Sequence, residues 1–202
     1  MNSITSQEVI TNVKHDSIKY GIMFIIARIL LTQAQSPLHT ANITNPIFAP
    51  NNPALHVNEW AKSALLVLIG FATYWVIIRN LVREEQYVTG DLRLALRDLL
   101  YFGTMLVVSR LLARQPLDAA WGKSVLYVIL GFVSYDVVIR KFIRPNINTR
   151  LGLTIDDTLR YTVMYALASW LADRHFNESF YKELIAVLVG LGVFNGFIAA
   201  YV

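Results

Sequence analysis

The sequence contains no cysteine, and charged residues make up only 16% of its 202 positions. Without thiols there are no disulfides, no cysteine-ligated metals and no cysteine nucleophiles. A soluble domain carries about 25% charged residues, so the shortage of charge argues against a water-soluble enzyme. The amino-terminal stretch MNSITSQEVITNVKHDS has no apolar core, so no cleavable signal peptide is expected. Proline is missing from every long apolar run, and four of the six prolines fall between residues 33 and 58.

What is present is hydrophobic. Apolar residues reach 55%, concentrated in six runs at 17–33, 60–79, 97–113, 121–140, 158–172 and 182–202. The expected fold is therefore an all-α integral membrane protein with six transmembrane helices. Residues 1–15 are expected to form a polar arm, and 16–202 a single membrane domain. The net charge of +4 does not indicate nucleic-acid binding, because the basic residues flank the apolar runs.

The runs repeat. Residues 60–79 and 121–140 match without gaps at 11 of 20 positions, sharing W-x-K-S-x-L-x-V-x-x-G-F-x-x-Y-x-V-x-I-R. A third copy places Val187, Gly190 and Phe194 where Val67, Gly70 and Tyr74 fall. In the preceding helices Asp16, Tyr20, Met23 and Arg28 correspond to Asp98, Phe102, Met105 and Arg110, then to Asp157, Tyr161, Met164 and Ser169. The chain thus reads as three tandem helical hairpins, 16–81, 97–143 and 157–202. The first carries a 21-residue insertion in its turn, within the loop 33–58.

Each unit opens on an Asp, placed as a cap for a short odd-numbered helix of about 16 residues. Each even-numbered helix is a full, unbroken span. Ser63 and Gly70, with Ser124, Gly131 and Gly190 at matching positions, form a small-residue face for close packing, and Gly192 and Gly196 add a GxxxG pair. With the first residues on the cytoplasmic side, eleven of the 18 basic residues lie on that side. Both ends of the chain are then expected to be cytoplasmic.

Arg28, Arg110 and Ser169 occupy one column of the repeat. They read as interface anchors or as a polar ring around a pseudo-threefold axis. Asp136, inside an apolar run, is four residues before Arg140, a spacing that suits a same-face ion pair. Catalytic patterns are missing. Gly122-Lys123-Ser124 lacks the upstream glycine of a phosphate loop, with Leu117 in its place, and the four histidines are scattered. No enzyme, cofactor or metal site is expected. The 33–58 loop offers Ile47, Phe48, Leu55 and Val57 as anchors for a partner, and sequons occur at Asn42 and Asn177.

Six spans in three repeats superficially resemble mitochondrial carriers, whose odd helices carry a P-x-[DE]-x-x-[KR] kink that is missing here. A different likeness attaches to RDLLYFGTMLVVSRLL, starting at Arg97, followed by Trp121-x-Lys123-Ser124-x-Leu126 and Leu130-Gly131-Phe132-x-x-Tyr135. This stretch, residues 91–143, is similar to small multi-span membrane proteins of nucleocytoplasmic large DNA viruses. The resemblance implies a structural protein of a virion inner membrane, derived from host endomembrane and lying beneath an icosahedral capsid. Its implied partners are the lipid bilayer and capsid or other membrane proteins, in an oligomer or array. A small channel or transporter, selective for anions, is the alternative expectation.

Overall fold

The computed structural model describes residues 5–33, 57–82, 90–143, 149–173 and 176–202. Among these the chain forms six helices and no strand. Helix α1 spans Ser6–Gln33, α3 spans Asp91–Leu112 and α5 spans Arg150–Leu171. Helix α2 is α-helical over Val57–Thr73, π-helical over Tyr74–Ile78 and ends in a last turn, Arg79–Leu81. Helix α4 follows the same plan over Ala119–Ser134, Tyr135–Ile139 and Arg140–Ile143, and α6 over Glu178–Val193 and Phe194–Ile198.

The helix starts follow from local chemistry. Thr5, Asp118, Thr149 and Asn177 each accept a hydrogen bond from the backbone N–H three residues on, satisfying donors the first turn leaves free. Gly90, at φ 65°, leads into α3 with a backbone that side chains rarely adopt. The α3–α4 and α5–α6 turns are built alike. Arg114 and Asp173, matched in the repeat, both have φ 54°, and the caps Asp118 and Asn177 each follow four residues later.

Three helices are long and apolar enough to cross a membrane: Trp60–Leu81, Ala119–Ile143 and Phe180–Ile198. These are the even-numbered helices, and they point to a membrane location. The odd-numbered helices fall outside that group because they carry the charged residues of the repeat. They are also longer than the 16 residues expected, at 28, 22 and 22. Residues 6–15, expected as an arm, are the first turns of α1. The expected caps Asp16, Asp98 and Asp157 consequently lie well inside their helices.

Each helix packs on its chain neighbours, and α1 closes on α6. The closest packing joins different hairpins: α2 on α3, α4 on α5, and α6 on α1. Glycine makes this possible at one repeated position. A Cβ on Gly70 would lie 2.7 Å from the Met105 backbone, one on Gly131 2.5 Å from Met164 Cα, and one on Gly190 2.7 Å from Met23 Cα. The even helix of each unit therefore lies glycine-to-backbone on the odd helix of the next unit, and the third unit returns to the first. The result is a closed ring of six helices.

Other small residues on the even helices sit elsewhere. Ser63 and Ser124 are half-buried, and the Ser124 hydroxyl bonds back to the Ala120 carbonyl at 3.1 Å. Gly192 and Gly196 require a correction, because a Cβ on either would meet nothing within 4 Å. Two residues advance about 200° around a helix, so Gly192 faces away from the contact that Gly190 makes.

Candidate functional site

The centre of the ring is filled by side chains from the odd helices. Tyr20, Phe102 and Tyr161, equivalent in the repeat, are buried, as are Met23, Met105 and Met164 three residues further along each helix. Tyr20 stacks on Phe71 with ring centroids 4.1 Å apart, and Phe102 stacks on Phe132 at 3.9 Å. Leu191 takes the ring's place in the third unit and is also buried. Across the centre the Tyr161 hydroxyl donates to the Tyr20 oxygen at 3.1 Å.

Next to this aromatic layer lies a polar one built three times on a single plan. In the first unit Asp16 Oδ2 accepts the Trp75 indole N–H at 2.6 Å and the Tyr101 hydroxyl at 2.5 Å. In the third, Asp157 Oδ2 accepts from Asn195 at 2.7 Å and from the Lys19 ammonium at 2.6 Å. In the second, Asp98 pairs with the Arg160 guanidinium, whose Nη2 also lies 3.6 Å from Asp136. The acid comes from an odd helix, the second group from the even helix of the same unit, and the third from the odd helix of the next unit. Geometry is kept while chemistry changes: Trp75, Asp136 and Asn195 share one column, and Tyr101, Arg160 and Lys19 share another.

The π-helical turns explain how the even helices contribute. Each begins at the aromatic position of the repeat, Tyr74, Tyr135 or Phe194. The i→i+5 bond, seen in Arg79, Arg140 and Ala199 N–H groups reaching the carbonyls of Tyr74, Tyr135 and Phe194, accommodates one extra residue in the turn. Two consecutive side chains can then face inward. Tyr135 and Asp136 are both buried, and so are Phe194 and Asn195. The even helices are thus not uniform spans, and no proline is needed to interrupt them.

The electrostatics are those of a low-dielectric interior. Asp98 and Asp136 are each only 2% exposed, and an unpaired carboxylate there would be strongly disfavoured. Arg160 is placed to serve both, and its charged face also lies 5.4 Å from the centroid of the Phe132 ring and 5.8 Å from that of Phe102. Arg140, four residues after Asp136, joins Tyr135 in contacts that reach the next helix. Arg140 Nε lies 3.2 Å from Asp156 Oδ1, which also accepts the Tyr135 hydroxyl at 2.8 Å.

Arg28, Arg110 and Ser169 are half-buried toward the opposite ends of their helices. Arg110 Nε donates to the Pro116 carbonyl at 3.0 Å, and its guanidinium sits over the Trp121 ring at 5.8 Å. That column therefore ties a helix end to its turn at Arg110. Asn177 spends its side-chain oxygen on capping α6. Ile47, Phe48, Leu55 and Asn42 lie outside the described residues; Val57 is the first residue of α2. Among the described residues no three His, Asp or Glu side chains gather into a group able to hold a metal ion.

Sequence reading passed over Lys19, Tyr101, Arg160, Trp75 and Asn195. The signal was available in the repeat alignment. Three residues after each repeated Asp comes a hydrogen-bond donor, Lys, Tyr or Arg, and one residue after each repeated aromatic comes Trp, Asp or Asn. Polar-capable columns recurring in an otherwise apolar repeat mark side chains that must meet partners. Comparison with family models, with curated proteins and with solved structures gives no match to the chain.

Proposed function

We propose that the chain is a structural membrane protein, with all six helices crossing the bilayer as three hairpin repeats. In this reading it packs in the inner membrane of a virion, beneath an icosahedral capsid. Loops outside the bilayer, the 33–58 insertion foremost, reach capsid-side or neighbouring membrane proteins. It acts without a catalytic centre and without nucleic acid. The observation that carries the reading is the filled centre. The aromatic and methionine layers are buried, and the polar layer above them is occupied by side chains bonded to one another. Such an interior suits a rigid body better than a solute path. Intramembrane ionisable groups usually mark a pathway, yet here Asp16 and Asp157 each meet donors from two other helices, and Asp98 meets Arg160 from the next unit, as an interlock would require.

The similarity of residues 91–143 to membrane proteins of large DNA viruses supplies the viral setting. The decisive experiment is a protein inventory of purified particles, with layer-by-layer extraction. Abundance in the membrane fraction supports the reading, and absence from particles removes it. The channel alternative has its own test. Proteoliposomes holding the purified protein should leak chloride at the rate of empty vesicles, and flux above that background would favour the channel.

A further inference from the structure

Beyond the polar layer the odd helices, α2 and α4 continue outward for about six residues, about 9 Å of helix, while α6 ends at Ile198 and the chain runs on to Tyr201. The last columns of the repeat there are apolar and unpacked. Leu81, Phe142 and Tyr201 occupy one column, six residues after Trp75, Asp136 and Asn195, and are 73%, 84% and 86% exposed. On the odd helices Ile10, Leu92 and Leu151 fall six residues before the three acids and are exposed too. Nothing in the bundle needs a bulky apolar side chain at these positions, yet all three units carry one in each column.

The same rim is positively charged. Arg93, Arg97, Lys141 and Arg150 are exposed around it, against Glu8 as the exposed acid among side chains described at that end. At the opposite end the exposed cations Lys62, Arg114 and Lys123 are matched by Asp118, Asp173 and Glu178. An apolar anchor beside a cation, repeated around a ring, fits the boundary between acyl chains and negatively charged headgroups. We propose that this rim is a binding surface for anionic phospholipid, with Leu81, Phe142 and Tyr201 in the acyl region and the neighbouring cations on the lipid phosphates and carboxylates. The inference rests on the reading of the chain as a membrane protein and adds the lipid class and the face that selects it. It also sets the buried ring of acids and donors inside the hydrocarbon, about one and a half helical turns from the headgroups.

The test uses the full chain in phosphatidylcholine vesicles with trace spin-labelled phosphatidylserine or spin-labelled phosphatidylcholine. Electron paramagnetic resonance reads the motionally restricted fraction of each label. Phosphatidylserine should associate about fivefold or more strongly than phosphatidylcholine, the factor contributed by roughly one cation at an anionic surface. The preference should fall toward unity in high salt and in a variant combining Arg93→Gln, Lys141→Gln and Arg150→Gln. The salt titration is made on the unaltered protein, so it stands even if the variant folds poorly. Equal association of the two lipids overturns the proposal. So does a rim that proves to be a contact between copies, seen as an oligomer that Phe142→Ser dissociates, with no lipid preference. No restricted signal from either label, with the protein released from membranes by alkaline carbonate, overturns the membrane reading itself.

Discussion

At position 131 the side chain is a hydrogen atom, and the Met164 backbone occupies the space any larger group would take. Gly131→Ala should cost about 1–3 kcal/mol through overpacking, and Gly131→Leu should prevent the ring from closing. Gly192→Ala supplies the contrast. Its new methyl would meet nothing within 4 Å, and alanine favours a helix by about 0.8–1 kcal/mol, so stability should hold or rise. Unfolding in mixed micelles measures both. The charged layer has its own ranking. Arg160→Met takes the guanidinium away from the buried Asp98 and Asp136 and should cost about 3–5 kcal/mol. Tyr101→Phe removes one of two donors to Asp16 Oδ2 and should cost less, about 1–3 kcal/mol. Adding Asp98→Asn to Arg160→Met should recover part of the loss; a double variant as unstable as the sum of its singles would mean that the pair is not coupled.

Among the elements, the even helices were the more legible in sequence. Their apolar length and their glycine column are properties of a single helix. The odd helices were read too short because the Asp residues looked like starts, whereas Thr5, Gly90 and Thr149 stand at the actual ones. Buried acids belong to tertiary structure: Asp157 is tolerable inside α5 because Lys19, 138 residues earlier, and Asn195 reach it. The π-helical turns were invisible for a related reason. No residue type demands one, and their benefit, burying Asp136 beside Tyr135, exists only once Arg160 is in place. Contacts between α1 and α6 give the clearest check on element packing. Ala27 and Ala186 are buried in one small cluster with Leu31, so cysteines at both positions should cross-link under mild oxidation. Failure to cross-link, with either single variant folded, would open the ring.

At the scale of the molecule, the missing cysteines become useful. Single cysteines at Lys14 and Lys141, both exposed at the same end of the bundle, need no background to be removed first. Both should react with a membrane-impermeant maleimide from one side only, and a cysteine at Lys62 from the other. Labelling of Lys14→Cys and Lys141→Cys from opposite sides would break the six-crossing arrangement.

Ring closure also orders events in time. A chain made from its amino end delivers α1 first, but the partner for its Met23 backbone is Gly190 and the partner for its Lys19 is Asp157. Until α5 and α6 emerge, α1 holds an ammonium and an acid that its own hairpin only half satisfies, through Trp75 on Asp16. In the proposed six-span arrangement the first hairpin is therefore an unfinished intermediate during synthesis, dependent on the insertion machinery or on nearby water to shelter Lys19. α6, made after the other five helices described, is the one that completes the packing of α1. Stalling translation before residue 178 should leave a protease-sensitive product whose first two helices are already made, and release to full length should protect them together.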